Sequence, residues 1–297
     1  MTMCCASCGK AEEVDDVKLK ICTGCKLVRY CSVECQKNHR PKHKKACKKR
    51  AAELREDRLF AQPDESHWGE CPICCLPLPT DNKKSMINTC CCKLICVGCA
   101  YANKKREWEA GLERRCPYCR EPAPKTDEEA DQNLMERAKA NDPEAIFKLG
   151  VKCYEEGDYS GAFEDFTKAA ALGSMNAHYN LSLMYYKGEG VEKDMKKYVS
   201  HLKEAAIRGH PNARHNLGCL EAENGRFERA MKHFIIAANL GYDVSLKAIK
   251  KLYADEKASK EDYAAALRAY QATVDATKSP ERDEAARYRE AIRYHRV

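Results

Sequence analysis

The stretch "TCCCKLICVGC", Thr89–Cys99, places five cysteines in eleven positions, and its reading decides the fold of the first third of the chain. Of the 20 cysteines in 297 residues, 18 lie at or before Cys119, and only Cys153 and Cys219 follow. Thiols spaced two residues apart in a reducing compartment read as metal ligands rather than disulfides. The stretch belongs to a set that runs Cys71-x2-Cys74, then Cys90, Cys91 and Cys92, then Cys96-x2-Cys99 and Cys116-x2-Cys119. Eight of these suffice for two tetrahedral zinc ions, with Cys75 and Cys92 as the spares. Cys91 and Cys92 both lie within reach of one ion, and Cys91 is taken as the ligand.

An earlier set has the same arithmetic. Cys5-x2-Cys8, Cys22-x2-Cys25, Cys31-x3-Cys35 and His43-x3-Cys47 make four ligand pairs, again enough for two zincs. The H-x3-C spacing puts both groups on one helix face. Cys4 competes with Cys5, but Cys5 keeps the two-residue spacing. His39, one turn before His43, reads as a surface residue or a partner outside the cage. About 50 residues bury too little apolar surface to fold alone, so metal binding supplies folding free energy. Four structural zinc ions are therefore expected.

"YCSVECQKNHRPKHKKAC" (Tyr30–Cys47) resembles the MYND zinc finger through its Tyr-Cys-Ser, Cys-Gln and His-Lys-x-x-Cys features. The resemblance implies crossed ligation, with Cys5, Cys8, Cys31 and Cys35 on one zinc and Cys22, Cys25, His43 and Cys47 on the other. It also implies a finger without a catalytic centre that binds short, proline-containing peptides. Arg40 stands where many members have Trp.

"CPIC…CCCKLICVGC…CPYCR" resembles an all-cysteine RING-type finger, with Lys93 in place of the usual histidine. Such fingers hold a ubiquitin-charged conjugating enzyme and act by positioning. The resemblance implies conjugating-enzyme contacts at Ile73 and Pro117, and a ubiquitin-bridging cation at Arg120. Arginine suits that role because its planar fork offers several donors. The family's Trp, four residues after the sixth ligand, is replaced by Asn103, and Trp108 is expected to pack locally.

Beyond "PAPKT" (Pro122–Thr126), whose prolines mark a boundary, the chain repeats itself. Ala145/Leu149, Ala177/Leu181 and Ala213/Leu217 open three units, and alanine pairs followed by Gly173, Gly209 and Gly241 close them. A fourth unit starts at Ser245/Ile249. Apolar residues at helical spacing make each unit two antiparallel helices, and such hairpins stack into a solenoid with a concave binding surface. The pattern resembles SEL-like repeats, relatives of the tetratricopeptide repeat. Cys153 and Cys219 read as helix-packing residues.

The expected fold is mainly α, with two small cross-brace zinc-binding domains followed by an α-solenoid of helix-turn-helix repeats. Its parts are residues 1–50, a charged linker 51–70, residues 71–124, repeats 125–279, and a helix 280–297 that caps the last repeat. The net charge of +7 resides in residues 1–60. "RPKHKKACKKR" (Arg40–Arg50) reads as a solvated basic helix or a patch for an acidic partner or nuclear import; without interleaved aromatics it does not predict nucleic-acid binding. The start lacks a basic segment leading into an apolar run, and no stretch nears ~18 consecutive apolar residues. The expected setting is intracellular, in cytoplasm or nucleus. No phosphate loop, serine elbow or open metal site is visible, nor any stretch resembling the methyltransferase domain that accompanies some MYND fingers. Two functions from different classes remain: a ubiquitin ligase that recruits substrates through the repeats and the first finger, and a non-enzymatic adaptor that holds peptides.

Overall fold

The computed structural model describes residues 4–11, 18–63 and 68–294, and among these the chain is mainly helical, with twelve α-helices and two short hairpins. It divides into two compact units, Met1–Ala61 and Gln62–Val297.

In the first unit, β1 (Lys20–Ile21) pairs antiparallel with β2 (Arg29–Tyr30), and Lys20 faces Tyr30 across the ladder. The chain then enters α1 (Val33–Phe60), where the Ser32 hydroxyl accepts from the Cys35 amide at 3.1 Å. A serine at this position satisfies one of the otherwise orphaned first-turn donors. The helix passes through Pro41 and continues to Phe60, so the expected linker 51–70 is helical over its first half. Lys42, Lys44, Lys45, Lys48 and Lys49 are all exposed along it, as either sequence reading of this basic stretch requires. The core is small: Leu19, Tyr30 and the sulfurs of Cys5, Cys22 and Cys25.

The second unit opens with a hairpin, β3 (Ser85–Asn88) and β4 (Lys93–Cys96), in which Ser85 faces Cys96, and leads into α2 (Val97–Glu109). Leu78, Ile95 and Cys71 are buried beneath it. Helix α3 (Asp127–Lys139) starts directly after the prolines, capped by Thr126. Four hairpins follow: α4 (Pro143–Glu155) with α5 (Tyr159–Ala171), α6 (Met175–Lys187) with α7 (Met195–Ile207), α8 (Pro211–Glu223) with α9 (Phe227–Asn239), and α10 (Asp243–Ala254) with α11 (Lys260–Ala276).

Each hairpin is built from signals the sequence carries. Asp142, Ser174, Asp194 and Ser259 cap helix starts through their side chains. Gly173, Gly209 and Gly241 sit at φ between +86° and +99°, where a residue with a Cβ is disfavoured. The alanines before them (Ala169, Ala205, Ala206, Ala237, Ala238) have essentially no exposed surface, so successive helices meet at close range.

The last helix, α12 (Pro280–Tyr294), departs from expectation. Its principal packing partner is α2 of the cysteine-rich module, not the last repeat. The reason lies in its inward face. Arg282 and Ala285 are buried, the Tyr288 ring packs at a tilt against Tyr101 with centroids 4.8 Å apart, and Glu284 pairs with Lys105 at 2.9 Å. Gly98 makes the approach possible, because a Cβ there would lie 2.8 Å from the Arg282 amide nitrogen. At the other end of the module, Cys92 packs with Leu134 of α3 and Ala145 of α4, and the Thr80 hydroxyl donates to the Gly241 carbonyl at 2.8 Å. The module is thus bound to the first helices of the repeat array, to the turn after α9 and to α12.

Candidate metal centres

Four quartets of ligand atoms converge: Cys5, Cys8, Cys31 and Cys35; Cys22, Cys25, His43 and Cys47; Cys71, Cys74, Cys96 and Cys99; Cys90, Cys91, Cys116 and Cys119. Within each, all four atoms lie within 4.8 Å of one another. A tetrahedral zinc with Zn–S near 2.3 Å requires sulfurs about 3.8 Å apart. The observed separations bracket that value: Cys8–Cys31 at 3.5 Å, Cys22–Cys47 at 3.8 Å, Cys74–Cys96 at 3.9 Å and Cys91–Cys116 at 3.8 Å. The His43 Nε2 faces the Cys25 sulfur at 3.2 Å. The donor sets are closed N/S quartets of the kind that hold structural zinc. They are compatible with four such ions.

The knuckles that present these pairs share one local geometry. In four of the five C-x2-C segments the amide of the residue after the second cysteine donates back to the carbonyl of the first: Gly9 to Cys5, Lys26 to Cys22, Cys75 to Cys71 and Arg120 to Cys116; the fifth, Cys96-x2-Cys99, opens α2 instead. All four closing residues have positive φ, between +54° and +75°. The turn aims both sulfurs to one side. The adjacent pair Cys90–Cys91 uses the same device, because the Cys92 amide donates to the Asn88 carbonyl at 2.7 Å and Cys92 has φ +51°. Cys75 and Cys92 therefore occupy closing positions and lie outside the quartets. Cys75 is exposed, and Cys92 is buried against α3 and α4. Cys4 is likewise exposed and outside every quartet.

Proton sharing is built into the cages. A hydrogen bond from the Cys96 thiol, aided by backbone amides, holds the Cys71 thiol well below its usual range, at about 4. The same bond, together with burial, pushes Cys96 up. His39 lies outside the quartets; its Nδ1 is 3.0 Å from the Tyr30 hydroxyl and its ring stacks on His43 at 5.5 Å. It fixes the ligand ring from outside, as expected of an outer-sphere partner.

Residues 5–47 match the MYND finger family. Residues 143–174, 176–210 and 211–242 each match the Sel1 repeat. A 56-residue stretch is 43% identical to the protein named "Putative beta-lactamase HcpC" from Helicobacter pylori strain J99, and covers 19% of each chain. An 85-residue stretch is 34% identical to the uncharacterized protein NMB1327 of Neisseria meningitidis serogroup B, covering 28% of this chain and 18% of that one. The matches thus span less than a fifth of these curated relatives. Among solved structures, a Sel1 repeat protein from Oxalobacter formigenes superposes with a TM-score of 0.43 at 23% identity, over 60% of this chain and 70% of that one. The protective antigen c5321 of uropathogenic Escherichia coli superposes with a TM-score of 0.40 at 23% identity, over 57% and 37%. A MYND finger joined to Sel1 repeats is a protein-interaction architecture, and among the described residues no helix is long and apolar enough to cross a membrane.

The residues beside the second pair of quartets are placed as follows. Ile73 is 41% exposed on the first knuckle. Pro117 is half-buried and Arg120 exposed on the last knuckle. Arg120 Nη1 donates to the Asn103 carbonyl oxygen Oδ1 at 3.2 Å, while Asn103 Nδ2 donates to the Arg115 carbonyl at 3.2 Å. Asn103 thereby ties the knuckle to α2, a role nothing in the sequence signalled. Trp108, expected to pack, is 83% exposed. Glu107 takes the inward position instead and accepts from the Arg115 amide at 3.3 Å. Cys153 and Cys219 pack against neighbouring helices, although the Cys219 sulfur also lies 3.5 Å from His215 Nε2.

Proposed function

We propose that this chain is a RING-type ubiquitin ligase: residues 71–124 recruit a charged conjugating enzyme, and the Sel1 repeats and MYND finger select the protein to be modified. The observation that carries the reading is the Arg120–Asn103 hydrogen bond. It holds a guanidinium at the surface beside the last cage, on the knuckle that also bears Pro117. Arg120 keeps further N–H donors for a conjugating enzyme and its ubiquitin. Gly98, Tyr101 and Lys105 face α12. At about 100° per residue, Asn103 lies roughly 165° round α2 from the centre of that face. Docking of α12 therefore leaves the Arg120 side of α2 open, while Asn103 and Pro117 also border the cavity beside α12. Catalysis would be by positioning, with no covalent intermediate on this chain. A setting in cytoplasm or nucleus belongs to the same reading.

A non-enzymatic adaptor is the second reading, favoured by Asn103 where RING ligases carry Trp. Self-ubiquitination with a panel of conjugating enzymes separates the two. The ligase reading expects activity in the wild type and its loss in Ile73→Ala and Arg120→Ala with zinc content unchanged. Activity that survives both substitutions rejects these contacts, and silence across the panel favours the adaptor.

A further inference from the structure

Helices α2 and α12, some 180 residues apart in sequence, enclose a cavity of about 380 Å³ with the β3–β4 hairpin and the segment after the last cysteine pair. That is the size of an ordinary ligand pocket. Its floor is apolar, formed by Ile87, Val97, Ala100, Ala123 and Ala285. The paired rings of Tyr101 and Tyr288 form one wall, and Tyr288 and Met86 each remain 40% exposed at the mouth. The lining charges are one-sided. Lys104, Arg114, Arg115 and Arg289 are all exposed, whereas the one lining carboxylate, Glu107, is buried.

The positions of two of these cations are set. Arg289 donates to the Lys83 carbonyl, and Arg115 donates through Nη1 to the Arg120 carbonyl at 3.2 Å. The two anchors are at the start of the hairpin and just after the last cage, so positive charge is spread around the mouth. A phosphate group needs donors that converge on one point; carboxylates strung along an extended chain match separated cations. The tyrosine rings are 4.8 Å apart and tilted by 40°, which leaves no slot between them for a base. The complementary occupant is therefore peptidic.

We propose that this groove binds a short acidic peptide of a partner protein, seating one large apolar side chain on the Ala100–Ala285 floor while flanking carboxylates meet Lys104, Arg114, Arg115 and Arg289. The groove borders the proposed conjugating-enzyme surface, sharing Asn103 and Pro117 with it, but peptide binding requires no ligase activity. It makes α12 half of a recognition site and gives its packing on α2 a purpose beyond stability.

The test is fluorescence anisotropy with the full zinc-loaded chain and a fluorescein-labelled heptapeptide, a central leucine flanked on each side by three glutamates. Saturable binding is expected. Replacing the leucine by serine should weaken it at least tenfold, as should Tyr288→Ala and the double substitution Lys104→Glu/Arg114→Glu. A control of equal charge change, Lys250→Glu/Arg268→Glu on α10 and α11, should leave it within twofold. Unchanged zinc content and melting temperature establish that the variants are folded. The proposal is overturned if the peptide does not bind, if the serine peptide binds equally, if both double substitutions act alike, or if ATP displaces the probe more effectively than unlabelled peptide. No ubiquitin component is present, so this result and that of the ligase assay stand apart.

Discussion

Arg282 Nη2 lies 3.5 Å from the sulfur of Cys74, although 208 residues separate them in sequence. The same guanidinium donates to the carbonyls of Pro77 at 2.8 Å, Leu76 at 3.2 Å and Thr277 at 2.7 Å. One buried cation thus joins the start of α12 to the segment leaving the Cys71–Cys74 knuckle, and adds positive charge next to a cysteine of that quartet. Partners of this outer kind orient metal ligands and stabilise their charged form.

Arg282→Ala should therefore loosen both elements. Carbonyls left buried without a donor cost on the order of 2–3 kcal/mol. Hydrogen exchange should accelerate in residues 71–78 and 280–292, and one zinc should pass faster to a colorimetric chelator. Exchange unchanged in both segments would show that the guanidinium contributes nothing to docking.

Metal stoichiometry tests the cages directly. Elemental analysis should return four zincs, one for each quartet. Cys47→Ser, which breaks the quartet it shares with His43, should lower the count by one and melt the metal-facing turns of α1, because that unit has little other core. A value of two in the wild type would mean that one pair of quartets does not bind.

Acid should weaken the repeats through His210. Its Nδ1 accepts from the Ala213 amide at 3.3 Å and caps α8, and burial lowers its pKa from 6.5 to about 3. The folded value lies below the unfolded one, so the unfolded chain binds more protons between these limits. Stability is complete above pH 6.5 and falls as the pH drops, by on the order of 2 kcal/mol at pH 5 from this residue. His210→Asn keeps a capping acceptor without the titration and should flatten the melting temperature between pH 7 and 5. An equal slope in both proteins would exclude His210 as the source.

Gly218 lies where α8 meets α9, and a Cβ there would sit 2.5 Å from the Phe234 ring; Gly150 stands in the same relation to Phe166, at 2.9 Å. The second repeat has Ser182 at this point and Tyr198 sixteen residues on, so the hairpin tolerates a larger residue only with a different partner. Gly218→Ala should cost about 1–3 kcal/mol by overpacking, read as a lower midpoint in urea. A neutral result would mean that Phe234 can turn aside.

The cysteine pairs could be read from spacing because a C-x2-C knuckle is closed by its own backbone, within five residues. The repeats were equally legible: helical periodicity, alanine pairs and closing glycines recur at fixed intervals, and each acts on its own hairpin. Where spacing left two choices, backbone conformation decided. Cys92 is a closing residue at φ +51°, and Cys91 is the one that joins the quartet. Other features had no local mark. Asn103 is an ordinary helix residue until Arg120 is brought to it, and Trp108 looks apolar enough to bury until Glu107 takes the inward place.

Sequence alone determined the parts: two cysteine-rich modules of four ligand pairs each, a basic helix within the first, and an array of helical hairpins. Only the tertiary structure decided that the second module is held by both the first helices of the array and α12, and that a cation-rimmed groove arises where α12 meets α2. Contacts between neighbours in the chain follow from residue type and period. Contacts between Gly98 and Arg282, or Tyr101 and Tyr288, depend on how whole helices pack, and polar residues such as Arg282 reveal burial only once that packing exists.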